Sequence, residues 1–437
     1  MKRVLSYLSI ALLSLGLGCS SIAAEGGVNV SADDASPTGY TATFRYENEE
    51  ADRVELKGSF GFYEDGDERF YAGGYNLEEG EDMNAYILSP EEWTKEGNLV
   101  HIGDESYVTE MTKGEDGVWE VSLHLPGGYY LYQYNVYAEG IEEPEAVTDP
   151  CNSWEHNDLG GVQARSQFYV PYDAEKMGEY YDWSWCLPAE KEEDRGTLSS
   201  FTYVGFEGVE RNALIYLPAH YDPEREEPYK TLYLSHGGWG NEGDWFFQGH
   251  AGNIMDRLAA AGECEECVLV TMNNDEFPSG GWWVEWDADK YIPNIMEGLI
   301  PYVEEHYHVS KESKDKAFAG LSSGAVVTGN LLHYDPTAFG HFGMFSCSAT
   351  YSFPEKDDYA DFLGTDIVLA GGFADYCVAN KENEYTDEDV MVTTYAEKLE
   401  EKEIPYNQGN DILLVPGNHD WFTWPQILKE YLTTYLW

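Results

Sequence analysis

The sequence predicts two folding units in series: an all-β sandwich, then an α/β unit whose mostly parallel sheet carries helices on both faces. Three observations carry this reading. The 437 residues exceed the roughly 250–300 at which a single core stops growing. The first half alternates apolar and polar residues with period two and holds no long stretch of helical period. The second half switches to short, continuous apolar runs separated by helical stretches, the pattern of strands buried on both faces.

From about Gly39 to Asp149 the β pattern dominates. "TGYTATFRYE" and "DRVELKGSF" alternate, and "GVWEVSLHL" runs through "PGG" into "YYLYQYNVYAEG", which reads as a hairpin. An immunoglobulin-like sandwich over residues 25–170 accommodates these strands. Residues 171–199 are charged, hold two prolines and lack periodicity, so they read as a linker docked in part through Trp183 and Trp185. Residues 200–437 form the α/β unit. Its expected strands are "NALIYLP", "KTLYLS", "CVLVTM", "KAFAG", "FGMFS", "DIVLAG" and "DILLVP". Helices are expected at about 250–261, 324–334, 388–403 and 425–436. Another is expected where Ile292, Ile295, Met296, Leu299, Ile300 and Val303 share one face.

The charge balance narrows the partners. Acidic residues number 81 against 25 basic ones, a formal charge of −56. Such a surface repels phosphate backbones and anionic headgroups, so nucleic acid is a poor partner, while a neutral polymer is compatible. At the start, Lys2 and Arg3 precede an apolar run from Val4 to Leu17, an export signal too short to span a membrane. Residues 1–24 are therefore set aside from the fold, and a secreted or cell-surface protein is expected. Cys19 after Gly18 reads as a lipid-anchor site, although Gly16 stands where such signals usually have Leu; cleavage after Ala23 or Ala24 is the rival. Six cysteines follow it. Cys264 and Cys267 form a CxxC with no second pair or histidine at zinc spacing, so a small disulfide or buried thiols are favoured over a metal site.

Chemistry concentrates around "GLSSG". Gly320 and Gly324 flank Ser322 symmetrically between an expected strand and an expected helix, whereas Ser323 lacks that frame. Small neighbours let a strand and a helix approach closely around a sharp turn that exposes the serine Oγ. A serine hydroxyl needs a base, and in this strand–turn–helix setting the acid and then the histidine follow the serine. His419 in "VPGNHDWFTW" lies just past a strand, at the edge of the sheet where the site must be. His333 sits on the helix after the turn, and His341 precedes a strand at the other edge. Asp375 is the first carboxylate past "DIVLAG"; Asp366 is at the wrong end of that strand, Asp387 and Glu388 are explained by helix capping, and Asp420 adjoins His419. For a developing oxyanion, the N–H of Ser323 is one expected donor. Gly238 in "SHGGWG" is the other, with Gly237 and Trp239 as rivals and His236 structural.

With these residues placed, the chain from about Ser200 onward resembles the carbohydrate esterase family that holds feruloyl and acetylxylan esterases (family 1), among the esterase D-like α/β-hydrolases. The pieces that carry the resemblance are "LSHGGWGNEGDW", "LIPYVEEHYHV", "FAGLSSGAVV", "GGFADY" and "GNHDWFTW", in order across the second half. It implies Ser322 as nucleophile, Asp375 as acid and His419 as base, with no metal or organic cofactor. One departure is Ser323, where many members have Met or Gln; another is the long "GGWWVEW" loop. Trp282, Trp283 and Trp286 in that loop offer flat rings to an aromatic acyl group or a sugar, or else pack the loop onto the core. The first half, through "GVWEVSLHLPGGYYLYQYNV" and "VTDPCN", resembles a family 48-type carbohydrate-binding module. Together they imply a feruloyl esterase acting on plant cell-wall arabinoxylan. Rival readings are an acetylxylan esterase, an enterochelin-type siderophore esterase, and a non-catalytic surface glycan-binding protein.

Overall fold

The computed structural model describes residues 27–93, 99–101, 103, 107–140, 142–152, 165–277, 286–348, 353, 359–379 and 391–437. The expected leader and Cys19, Trp282, Trp283, Asp387 and Glu388 lie outside the described residues.

The second half is built on an eight-stranded sheet. Its spatial order is Thr197–Val204, Glu210–Leu217, Cys267–Met272, Lys230–Ser235, Lys316–Leu321, His341–Phe345, Asp366–Gly372 and Leu413–Val415. Glu210–Leu217 is antiparallel to both its neighbours, and from Cys267–Met272 onward every pairing is parallel. Both faces of the sheet are buried, which explains the continuous apolar runs. Within Cys267–Met272, Val268, Val270 and Met272 join one core while Cys267 and Leu269 join the other. Phe318 and its neighbours Ala317 and Ala319 divide the same way. The helix Ala251–Ala261 and the last helix, Thr423–Glu430, cover one face. The other is covered by Ser323–Tyr334, Val392–Glu401 and the helical stretch Ala288–His306, which has a π-helical centre.

The first half is β-rich. Gly27–Ala32, Tyr40–Glu47, Val118–Leu123 and Thr112–Lys113 make a four-stranded sheet, and a five-stranded sheet centres on Gly128–Tyr137. All pairings in both are antiparallel. Phe44 from one sheet and Leu56, Tyr132 and Phe168 from the other share a single core. The expected hairpin through "PGG" is not formed. Val118–Leu123 pairs with Tyr40–Glu47, whereas Gly128–Tyr137 pairs with Arg53–Gly58, so the turn carries the chain from one sheet to the other. Close packing dictates this corner: a Cβ on Gly127 would stand 2.4 Å from the Tyr181 carbonyl oxygen.

The expected linker is a packed strap. Met177, Tyr181, Trp183 and Cys186 are buried, and Trp183 stacks on Phe422 of the second half with ring centroids 4.5 Å apart. Trp185 packs beside Trp183 at 4.8 Å. The strand Thr197–Val204 begins inside the stretch read as linker; its burial is patchy, so no clean alternation announced it. All six cysteines beyond the leader are free thiols, including Cys264 and Cys267. Among the described residues, no helix is long and apolar enough to cross a membrane.

Candidate active site

The strand Lys316–Leu321 ends at Ser322, and the helix Ser323–Tyr334 starts immediately after it. Ser322 has φ 52° and ψ −123°, a conformation that costs a non-glycine residue energy and persists only when its surroundings hold it. Its N–H donates to the Phe345 carbonyl at 2.9 Å, and its own carbonyl accepts from Ala325 N–H at 2.9 Å. The two flanking glycines are needed for space. A Cβ on Gly320 would lie 2.3 Å from the Gly324 oxygen, and one on Gly324 would lie 2.4 Å from the His236 oxygen. The turn therefore brings strand, helix and the 236 loop together, with the serine at their junction.

Two further segments reach this point from neighbouring strands. Past Asp366–Gly372 the chain turns through Phe373, Ala374 and Asp375; past Leu413–Val415 it turns through Gly417 to His419. These loops are tied by Phe373 N–H to the Val415 carbonyl at 2.7 Å and by Ala374 N–H to the Gly417 carbonyl at 2.8 Å. The result is a hydrogen-bonded row. His419 Nε2 stands 3.0 Å from Ser322 Oγ, and His419 Nδ1 stands 2.9 Å from Asp375 Oδ1. A carboxylate only accepts, so the ring proton sits on Nδ1 and Nε2 is left to accept from the serine hydroxyl. Asp375 is fully buried, and its Oδ1 also accepts from Cys377 N–H at 2.8 Å. Burial works against a charge on His419, but the charge and hydrogen bond of Asp375 outweigh it, and the imidazole pKa is raised above its usual value.

The imidazole is walled by residues that sequence reasoning did not single out. Tyr376 lies 4.8 Å from it, and Trp424 meets it edge-on at 5.3 Å while donating its indole N–H to Ser346 Oγ at 3.0 Å. Both lie inside the quoted stretches "GGFADY" and "GNHDWFTW": Tyr376 reaches the ring from the acid loop, and Trp424 from the helix that follows His419. Donor atoms of Asp375, Cys377 and His419 lie within 4.8 Å of one another, a set able to hold a metal ion. Here the carboxylate and imidazole already pair with each other, and burial raises the Cys377 thiol well above its ordinary pKa, against the thiolate a metal requires.

The other sequence-singled residues fall as follows. Ser323 is the first residue of its helix, so its N–H has no partner within the helix. Gly237 lies beside the serine, since a Cβ there would stand 3.3 Å from Ser322 Cβ and 2.7 Å from Leu321 Cδ1. Gly238 follows directly. The rival Trp239 has its backbone N–H turned toward the Asp275 carboxylate. His236 is buried, donates from Nδ1 to the Gly237 carbonyl at 2.6 Å and accepts from Asn274 N–H at 3.0 Å; burial pushes its pKa down to about 4, leaving it a neutral clamp on the loop. Asp420 accepts from Phe422 and Thr423 N–H at 3.0 and 3.2 Å, capping the last helix. His333 bonds Tyr395 and His341 pairs with Asp366, both away from the row. Trp286 is 9% exposed, belongs to the main core, packs edge-on against His236 and donates its N–H to Asp275 at 2.8 Å, the contacts of its packing alternative.

The family described as "Putative esterase" matches residues 207–435, just over half of the chain. An endo-1,4-beta-xylanase/feruloyl esterase of Xylanibacter ruminicola is 29% identical over 257 residues, which are 57% of this chain and 32% of that protein. The chain thus spans about a third of that relative's length. Among solved structures, the enterobactin esterase FES of Shigella flexneri aligns over 94% of this chain and 96% of its own, with TM-score 0.53 and 15% identity. The shared fold therefore includes the β-rich half. A CE1 ferulic acid esterase of Anaeromyces mucronatus aligns over 58% of this chain and 94% of its own, with TM-score 0.45 and 19% identity.

Proposed function

The chain belongs to the putative esterase family, and from that premise we propose that it hydrolyses hydroxycinnamoyl (feruloyl) esters on plant cell-wall arabinoxylan, with Ser322 as nucleophile. The observation that carries the reading is the row Ser322–His419–Asp375, closed by hydrogen bonds of 3.0 and 2.9 Å. His419 Nε2 takes the hydroxyl proton as Ser322 Oγ attacks the ester carbonyl carbon. Asp375 holds the ring in the productive tautomer and stabilises the imidazolium that forms. The oxyanion is received by the N–H groups of Ser323 and Gly238. Collapse expels the sugar alcohol, which takes its proton from His419. Water, deprotonated by the same ring, then attacks the acyl-enzyme and releases the acid. Apart from the substrate and water, every group in this cycle belongs to the chain, and it calls on no cofactor.

The feruloyl and arabinoxylan assignment draws on the resemblance of "FAGLSSGAVV" and "GNHDWFTW" and on the relative that carries both xylanase and feruloyl esterase in its name. A neutral polysaccharide also suits a chain of formal charge −56. In this reading residues 25–170 are a glycan-binding-type module, and residues 1–24 direct secretion, with Cys19 as a lipid anchor at the bacterial surface. A second reading, hydrolysis of an aromatic siderophore ester, is favoured by the alignment of the enterobactin esterase fold along both halves. The test is a panel of methyl ferulate, acetylated xylan and an enterobactin-type ester, assayed with the wild type and Ser322→Ala. Methyl ferulate is expected to be the best substrate, and the variant to lose about a millionfold in kcat. Preference for the acetyl or siderophore ester would replace the substrate assignment; near-normal turnover by Ser322→Ala would remove the nucleophile.

A further inference from the structure

The loop from His236 to Asp244 is held far more firmly than an exposed loop requires. His236 clamps it from below, Gly240 N–H donates to the Gly237 carbonyl at 3.3 Å, and Asn241 N–H donates to the buried Asp244 carboxylate at 3.1 Å. Gly243 N–H donates to Asn241 Oδ1 at 2.8 Å. Gly240 has no space for a side chain, since a Cβ there would lie 2.2 Å from Asp244 Oδ2 and 2.8 Å from His236 Nδ1. At the apex sits Trp239, with φ 59°, a left-handed conformation that is an outlier for so bulky a residue. Its backbone N–H is turned toward Asp275, the carboxylate that takes the indole N–H of Trp286 at 2.8 Å. Two residues earlier, Gly237 lies so near Ser322 that a Cβ on it would stand 3.3 Å from the serine Cβ. Trp239 is thus within about 7 Å of extended chain from a residue beside the serine.

Despite this restraint the Trp239 side chain is 54% exposed, the only tryptophan among the described residues in that class. A fold that strains its backbone to keep the largest apolar side chain in water gains no stability by doing so. Strain of this kind collects where a residue must be presented to a ligand. A rigidly held indole also binds with little loss of conformational entropy. We propose that Trp239 is a substrate-binding residue, the platform on which a planar ring of the substrate lies while its ester carbonyl meets Ser322. The ring is the aromatic acyl group or a sugar of the alcohol, since both present a flat, weakly polar face to an indole. The two tryptophans divide by burial: Trp286 packs into the core and Trp239 is exposed.

This inference deepens the esterase reading and rests on Ser322 being the nucleophile. The experiment compares Trp239→Ala and Trp239→Phe with the wild type on three esters: methyl ferulate, a feruloylated arabinosyl oligosaccharide and the ring-free methyl acetate. For Trp239→Ala the ring-bearing esters should lose about tenfold more kcat/KM than methyl acetate, mainly through KM, and Phe should restore part of it. Loss with methyl ferulate places the acyl ring on Trp239; loss confined to the oligosaccharide places the sugar there. Calorimetric Kd values for ferulic acid and for an arabinoxylan oligosaccharide give a readout independent of turnover, and one of them should weaken by about tenfold in Trp239→Ala. Equal losses on all three esters with unchanged Kd values, or no loss on any, would overturn the proposal. Failure of the nucleophile reading is seen separately, as turnover retained by Ser322→Ala whatever Trp239 does.

Discussion

In the proposed mechanism His419 sets the pH response of the site. Its pKa lies above the usual value near 6.5 because Asp375 outweighs the effect of burial. The base must be neutral to accept the serine proton, so kcat/KM should rise with pH along an acid limb whose midpoint is above 6.5. Removing the charge in Asp375→Asn should move that limb to lower pH and cut kcat by about four orders of magnitude. A wild-type midpoint at or below 6, or a limb that Asp375→Asn leaves in place, would contradict the pairing. The same shift is linked to stability. A histidine whose folded pKa is raised stabilises the fold fully below about pH 6.5, and the contribution disappears as the pH rises through the folded value. His236 does not confuse the profile, because burial keeps it neutral down to about 4. At this scale much of the site was legible. Ser322, Asp375 and His419 each sit just past a buried strand, where parallel-sheet geometry puts them at one edge. Trp239 was weighed only as a backbone donor, and its left-handed φ has no sequence signature in a loop already rich in glycine.

Among the elements, the turn Glu68–Gly73 of the β-rich half does the most for the acid loop. Ala72 N–H donates to the Phe373 carbonyl at 2.7 Å, and the Tyr63 ring stacks parallel to Phe373 at 6.0 Å. Ala72, Gly73 and Gly74 all have positive φ, and a Cβ on Gly73 would stand 2.7 Å from Tyr376 Cβ and 2.8 Å from its Cα. The atoms in the way belong to backbone and Cβ and cannot swing aside. Gly73→Ala should therefore destabilise the protein by about 1–3 kcal/mol and displace Tyr376 from the His419 ring, lowering kcat by about tenfold. Thermal unfolding and steady-state kinetics check this; an unchanged kcat would show that the turn does not govern the acid loop. Element by element, the parallel strands were readable because burial on both faces leaves continuous apolar runs such as "VLVTM". Pairing was not. Val118–Leu123 and Gly128–Tyr137 alternate equally well as a hairpin or in separate sheets, and the choice is made by partners some seventy to eighty residues away. In the strap at 171–199 the docking through Trp183 was readable, whereas the buried Tyr181 and Cys186 are few among many charges and gave no pattern.

For the whole molecule, the site is a meeting of both halves. His101 packs against Phe422 at 4.1 Å, and Gly103 stands so close to Asp420 that a Cβ would lie 2.2 Å from its carboxylate. The β-rich half thus braces the loop of His419 as well as that of Asp375, and the packed strap with Trp183 on Phe422 closes the joint. Composition anticipated two units but not this joint, because interface residues such as Phe70 and Phe373 look like ordinary core. The central claim, that the folded chain turns Ser322 into a nucleophile, is tested most directly by treating the intact protein with a fluorophosphonate and locating the adduct by peptide mass spectrometry. We expect one adduct per chain, on Ser322, lost in His419→Ala; an unmodified Ser322, or an adduct that forms as readily without the histidine, would contradict it.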